Sequence, residues 1–111
     1  MSLQFLSLFR SRLVDNVAVD IIYTVPALSI LRNGKVRFSN VTATAATIKM
    51  WAVPISATAN NNFVALPTVS IPANSYLDID LPVIDAGGMI QAQAGTASSI
   101  SILNLDGLLK T

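Results

Sequence analysis

The alternation of polar and apolar residues is sharpest in the stretch from Ile71 to Pro82. It opens with Pro72–Ser75, a predicted turn, because proline fixes φ and Asn and Ser side chains hydrogen-bond to nearby backbone. Three aliphatic residues then alternate with a tyrosine and two carboxylates: Leu77, Ile79 and Leu81 against Tyr76, Asp78 and Asp80. Successive side chains of a strand point to opposite faces. The stretch therefore predicts a strand with one face on a core and the other in water or on a partner.

Shorter runs of the same kind predict further strands along the chain. They cover residues 16–26, 28–31, 35–41, 46–54, 63–71, 89–94 and 98–105. In the first run, Val17, Val19, Ile21, Tyr23 and Val25 share one face. In the return strand after residue 34, Val36 and Phe38 are predicted to point inward and Lys35, Arg37 and Ser39 outward.

Residues that break or turn a strand separate these runs. Asn33-Gly34 predicts a hairpin, because both residues tolerate the positive φ of a type I′ turn. Pro67 has no N–H for a ladder and predicts an edge strand or a bulge. A change of phase after Ile102 predicts a bulge. Asp85–Gly88 is a predicted turn, and Asp106-Gly107 is predicted to end the last strand.

About eight short strands, turns roughly every 8–12 residues and no convincing internal helix predict an all-β fold. The expected architecture is an antiparallel β-sandwich with jelly-roll or Greek-key connections, preceded by an N-terminal arm. We expect the arm at residues 1–15 and the sandwich domain at residues 16–111.

Residues 1–15 have a pattern unlike that of the predicted strands. As a helix, the segment would place four apolar side chains in one stripe: Leu3, Leu6, Phe9 and Leu13. It is either a frayed terminus on its own domain or an apolar arm that orders on a partner. We favour the arm, because two phenylalanines of exposed type lie in a chain with few charges. The predicted contact residues are Leu3, Phe5, Leu6, Phe9, Arg10, Arg12 and Leu13.

Composition narrows the functional class. The 111 residues suffice for one domain with one core. The chain is 52% hydrophobic and 12% charged, against roughly 25% charged in an average soluble domain. So few charges indicate that much of the surface faces protein. Seven Lys and Arg against six acidic residues give a net charge of +1, which offers no electrostatic case for nucleic-acid binding.

The missing residue types exclude several kinds of site. Without cysteine there is no disulfide, thiol nucleophile or thiolate metal site, and without histidine there is no Ser-His or Cys-His pair. The charge-free stretch Met50–Leu77 carries prolines and an Asn run, so no transmembrane helix is expected there. The first residues lack the basic and apolar regions of a signal peptide, which predicts synthesis in the cytoplasm.

Two groups of residues are candidates for a chemical site. Asp78 and Asp80 should lie about 7 Å apart on one strand face, as in a glycosidase pair or a calcium site. A solvated strand face is the commoner explanation, and a calcium loop would need more ligands than the nearby Asp85. The aromatic residues that could stack on a sugar are Trp51, Tyr23 and Tyr76, although such residues more often belong to a core or interface. We expect no catalytic, cofactor or metal site.

Four segments carry a resemblance to a known family. They are Tyr23–Ala27, Lys35–Pro54, Val69–Val83 and Met89–Ile102. Together they resemble the capsid staple, or decoration, proteins of short-tailed bacteriophages, over roughly residues 23 to 106. The resemblance implies a jelly-roll-like sandwich on the outer surface of an icosahedral head. It also implies a homodimer that binds several copies of the major capsid protein, and it brings no catalytic motif.

The expected function is therefore that of a non-enzymatic virion protein that cements capsid subunits from the outside of the head. Its expected partners are the major capsid protein and a second copy of itself, with no nucleic acid and no membrane. The alternative is a receptor- or glycan-binding module of a phage tail or spike. That alternative requires Trp51 in an exposed groove with Asp or Asn neighbours.

Overall fold

The structure is a computed structural model that describes residues 3–9, 12–14 and 16–110, and for residues 3–9, 12, 103 and 104 it describes the backbone. The described residues form nine strands, and a short 3-10 turn at Asn61–Phe63 precedes the sixth. The strands are β1 (Leu3–Phe9), β2 (Arg12–Leu13), β3 (Asp20–Thr24), β4 (Ile30–Asn40), β5 (Ala46–Val53), β6 (Val64–Ile71), β7 (Tyr76–Asp80), β8 (Met89–Ala94) and β9 (Ile100–Lys110).

The strands form two antiparallel sheets. Sheet A has the order β1-β9-β4-β7, and the short β2 continues along β9 beyond β1; sheet B has the order β3-β8-β5-β6. The chain passes repeatedly between the sheets, so most neighbours within a sheet are distant in sequence. This strand order is that of a jelly roll, in which two Greek keys share one sandwich. The predicted all-β antiparallel sandwich is confirmed.

The core lies between the two sheets. Its largest fully buried side chains are Phe38, Leu31, Ile48, Met50, Ile71, Ile90, Ile100, Ile102, Leu105, Val25, Val36 and Val53. Most of them come from β4, β5, β8 and β9, the central strands of the two sheets. Ile71 is the last residue of β6, and Val25 directly follows β3. Two strands of eleven residues, β4 and β9, lie side by side at the centre of sheet A. The length of these two strands gives the molecule its elongated shape, 46 × 26 × 17 Å.

Several features predicted from alternation are confirmed. In β7, Leu77 and Ile79 point toward the core while the tyrosine and the carboxylates are exposed. Pro67 lies in β6, an edge strand with a register shift between the pairs of Ile48 and Met50. The phase change after Ile102 coincides with a register shift against β4.

The predicted hairpin at Asn33-Gly34 is wrong, because β4 runs straight through it from Ile30 to Asn40. Asn33 does adopt a positive φ of 53°, but it does so within a bulge where the register against β9 shifts. A residue with positive φ serves a bulge as well as a hairpin turn, so the dipeptide alone does not separate the two.

The predicted end of the last strand at Asp106-Gly107 is also wrong, since β9 continues to Lys110. At Gly107 a Cβ atom would lie 3.2 Å from the Cα of Gly34 and 2.7 Å from Leu31 Cδ1. The glycine therefore permits two neighbouring strands to approach closely, which is a recognised use of glycine within strands.

The first predicted strand is shorter than expected, and the five residues predicted to share one face do not all do so. The strand covers Asp20–Thr24; Val17 and Ile21 are exposed, and Ile22 is buried. The register against β8 shifts between Ile21 and Tyr23. One inserted residue in a strand moves every side chain beyond it to the opposite face of the sheet. The predicted alternation of this strand fails for that reason.

The N-terminal segment forms strands where the apolar stripe had suggested a helix. Leu3 pairs with Lys110, Leu6 with Gly107 and Leu13 with Ser101, so the segment runs antiparallel along the length of β9. The division into an arm at residues 1–15 and a sandwich at residues 16–111 stays a prediction. Val14, on the arm side of that boundary, is buried in the core.

Candidate protein-interaction surfaces

The predicted contact segment forms one edge of sheet A. Strand β1 pairs with β9 on one side, and its other side is an outer edge of the sheet order. Its sequence, LQFLSLF, has neither charge nor proline. Seven residues of strand span roughly 23 Å, which is a long edge for a domain of this size.

The predicted contact residues are spread along this edge. Leu3, Phe5, Leu6 and Phe9 belong to β1, and Arg12 and Leu13 to β2. Leu13 is 47% exposed. Arg10 lies outside the described residues, as do the side chains of Leu3, Phe5, Leu6, Phe9 and Arg12. Their role in contacting a capsid stays a prediction.

The opposite edge of sheet A is charged. Arg37 on β4 faces Asp78 on β7 and donates from Nε to Oδ1 at 2.6 Å and from Nη2 to Oδ2 at 2.9 Å. The guanidinium also lies 4.1 Å from the centre of the Tyr76 ring, and Lys35 Nζ lies 3.9 Å from Asp80 Oδ1. Hydrogen bonding to Arg37 lowers the pKa of Asp78, and the same contact raises the pKa of Arg37.

This arrangement explains the two carboxylates that had been weighed as a chemical site. They share one exposed face of β7, as predicted, and each lies opposite a cation of β4 in register. A carboxylate held by a bidentate guanidinium has its lone pairs directed at that partner. Among the described residues, no group of three or more potential metal ligands comes together. The geometry is that of a cross-strand ion-pair ladder.

Three exposed apolar side chains lie in loops at one end of the sandwich. Leu28, Ile55 and Val83 are 90%, 65% and 58% exposed, and they lie in the β3–β4, β5–β6 and β7–β8 loops. We call this group the apolar tip. Val25 bonds to Gly87 and Gly88 across two of these loops, and Ile55 and Val83 border one depression of about 210 Å³.

The apolar tip was missed by sequence reasoning, although a signal was present. Ile55 and Val83 each directly follow a proline, and Leu28 follows Pro26 by two residues. A proline in a turn keeps the loop rigid. The three aliphatic residues are held on such turns and are exposed there.

Trp51 does not form the open aromatic platform that a glycan-binding module requires. It lies on β5 opposite Gln91 of β8 and is 7% exposed. Lys49 Nζ lies 5.2 Å from the centre of its ring. Trp51 itself lines an open depression of about 420 Å³ together with Asn16 and Gln93, but the residue is mostly covered.

A comparison of the chain with protein-family models, curated proteins and solved structures finds no match. Within the described residues, no helix is long and apolar enough to cross a membrane.

Proposed function

We propose that this protein is a structural virion protein that binds the outer surface of a phage head and cements major capsid protein subunits. The observation that carries the proposal is the apolar tip, three large aliphatic side chains exposed at one end of a sandwich. The chain has 12% charged residues, against roughly 25% in an average soluble domain. Clustered exposed apolar groups of this kind mark protein-binding surfaces.

The apolar tip and the predicted contact segment lie at the same end of sheet A. Lys110 pairs with Leu3 on one side and with Ile30 on the other. Ile30 is two residues from Leu28 of the tip. The start of β1 and the tip can therefore contact one capsid surface together.

The size of this contact explains why many copies are needed. Burial of one large aliphatic side chain contributes about 1.5–3 kcal/mol, so the three residues of the tip supply about 5–9 kcal/mol. Association costs an estimated 4–15 kcal/mol in lost freedom. A single tip therefore binds weakly, and firm attachment requires the β1 and β2 segment, or a second tip on a linked copy. Because the protein binds the assembled shell, each occupied site stabilises that shell by mass action.

The test is co-sedimentation of purified protein with heads of the phage that carries it, prepared without the protein. Wild-type protein should pellet with the heads, and the triple variant Leu28→Ser/Ile55→Ser/Val83→Ser should remain in the supernatant. The matched control is Val17→Ser/Val41→Ser, which removes exposed aliphatic residues at the opposite end. Equal binding by all three proteins would exclude the tip as the contact, and absence of wild-type binding would exclude the cement function.

The alternative of a receptor- or glycan-binding module has less support. Its expected platform, Trp51, is covered on the outer face of sheet B. Retention of wild-type protein on immobilised host polysaccharide, together with no binding to heads, would favour that alternative.

A further inference from the structure

The two sheets end in four outer strands, and three of these carry features that discourage pairing with another chain. Exposed edges are commonly protected by charges, prolines, bulges or short length. Strand β7 carries Asp78 and Asp80, and β6 contains Pro67 next to a register shift. Strand β3 is short, with five residues, and it begins with the charged Asp20. Its register against β8 also shifts.

The fourth outer strand, β1, has none of these features over most of its length. Its pairing with β9 is continuous from Leu3 to Ser7, and a register shift follows only between Ser7 and Phe9. The seven residues include no charge and no proline. An extended backbone edge of this kind is a ready template for another strand.

We propose that the β1 edges of two copies pair antiparallel across a two-fold axis. The two sheets A would then form one continuous sheet in the order β7-β4-β9-β1-β1-β9-β4-β7. A two-fold contact uses the same patch on both subunits and closes on itself. The pairing needs no capsid and therefore stands independently of the proposed head binding.

Charge and register favour a second copy as the occupant of this edge. Full overlap of the strands places Leu6 on the axis opposite its own copy, with Leu3 opposite Phe9. No like charges meet in this arrangement. If two copies paired instead through β7 with full overlap, Asp78 would lie opposite Asp78 of the second copy. Like charges directly opposite one another destabilise a sheet.

The inferred dimer leaves the other contact surfaces available. Pairing through a strand edge uses the outward backbone N–H and C=O groups. The apolar tip lies in the β3–β4, β5–β6 and β7–β8 loops, which are not part of this strand edge. A dimer would therefore carry two tips in a fixed relation, which raises the effective concentration of the second tip once the first is bound.

The absence of cysteine from the chain permits a direct test with single thiols. Leu6→Cys places the two thiols on the axis, where directly opposed Cβ atoms lie about 4.5–5.5 Å apart. Ser70→Cys places a single exposed thiol on β6, the protected edge of the other sheet, as a matched control. A short thiol crosslinker should convert most of the Leu6→Cys protein to covalent dimer and leave the Ser70→Cys protein monomeric in a denaturing gel.

Sedimentation of the full chain completes the test. Wild type should sediment as a dimer at micromolar concentration, and Leu6→Lys should raise the dimer dissociation constant at least about tenfold, because edge lysines oppose strand pairing. Ser70→Lys should leave the dimer unchanged. A wild-type monomer, a higher oligomer, or a dimer crosslinked through Ser70→Cys and insensitive to Leu6→Lys would each overturn the inference. If Leu6→Lys does not fold, the crosslinking of Leu6→Cys decides the question.

Discussion

The two outer strands of sheet A differ in a way that bears on function. Strand β7 has acidic residues at alternate positions, and both lie opposite cations on β4. Strand β1 is longer and has no charged residue. Both are outer strands of sheet A, so their place in the sheet does not distinguish them. The distribution of charge does, because charges discourage an edge strand from pairing with another chain and β1 has none.

The largest effect should follow from removal of the uncharged edge. Deletion of residues 2–13 removes β1 and β2 and should leave a folded sandwich, because the described core begins at Val14. Attachment to heads should fall by about a thousandfold if three apolar side chains are lost from the contact at about 1.5 kcal/mol each. Co-sedimentation with heads measures the affinity, and a thermal melt reports the folding of the truncated chain.

Phe9→Ala within the full chain should reproduce part of that loss and serves as the milder variant. A truncated protein that fails to fold would show that residues 2–13 are integral to the sandwich. A truncated protein that binds heads as well as wild type would show that the contact lies elsewhere, with the apolar tip as the next candidate.

A substitution on β9 tests whether the pairing of β9 with β4 depends on the close approach of the two strands at Gly107. Gly107→Val should destabilise the fold by about 1–3 kcal/mol, the usual cost of overpacking, because the new Cβ would lie 2.7 Å from Leu31 Cδ1. Ser101→Val, on the same strand at a half-buried position, should change stability by less than about 0.5 kcal/mol. Urea denaturation measures both; equal stabilities would contradict the close packing at Gly107.

Removal of the two carboxylates from β7 should leave an uncharged edge strand that can pair with another chain, as proposed for β1. Asp78→Leu/Asp80→Leu leaves an edge with no acidic residue, so we expect association beyond the dimer, with the average mass in sedimentation at least about doubled. The control is Tyr76→Leu, which changes the same exposed face but keeps both carboxylates. A double variant that sediments like wild type would show that charge does not protect this edge.

Much of the fold could be predicted from alternation, and the errors have a common cause. Strands such as β7 and β8 have an unbroken period of two, so their inner faces were predicted correctly. The errors at Asn33 and Ile21 lie at bulges, where one extra residue changes the phase. The extension of β9 past Gly107 depends on pairing with a segment about a hundred residues earlier in the chain. Local sequence does not report such long-range pairing.

The surfaces were less predictable than the fold. Both carboxylates of β7 were assigned to an exposed face, but their cations on β4 are about forty residues away in sequence. Trp51 lies on the outer face of sheet B and yet is covered, which no periodicity indicates. The apolar tip combines three loops that only the strand order brings together.

The smallest effect concerns the ion pair of the charged edge and its dependence on pH. Asp78→Asn should lower the melting temperature slightly at pH 7, because both side chains of the pair are 38% exposed and screened by water. The hydrogen bond from Arg37 lowers the pKa of Asp78 in the folded protein. The stabilisation is therefore fully present above the ordinary value of about 3.9 and is lost as the pH falls through the lower folded pKa.

Melting curves of wild type and Asp78→Asn should accordingly differ at pH 7 and converge at the acidic end of the range. Added salt should reduce the difference at pH 7, since exposed charges are screened. The control is Asp85→Asn, which removes an exposed carboxylate from the turn after β7 and should show a smaller difference at every pH. A gap between wild type and Asp78→Asn that widens toward acid would mean that the carboxylate destabilises the fold. The ion-pair ladder would then protect the edge at a cost in stability.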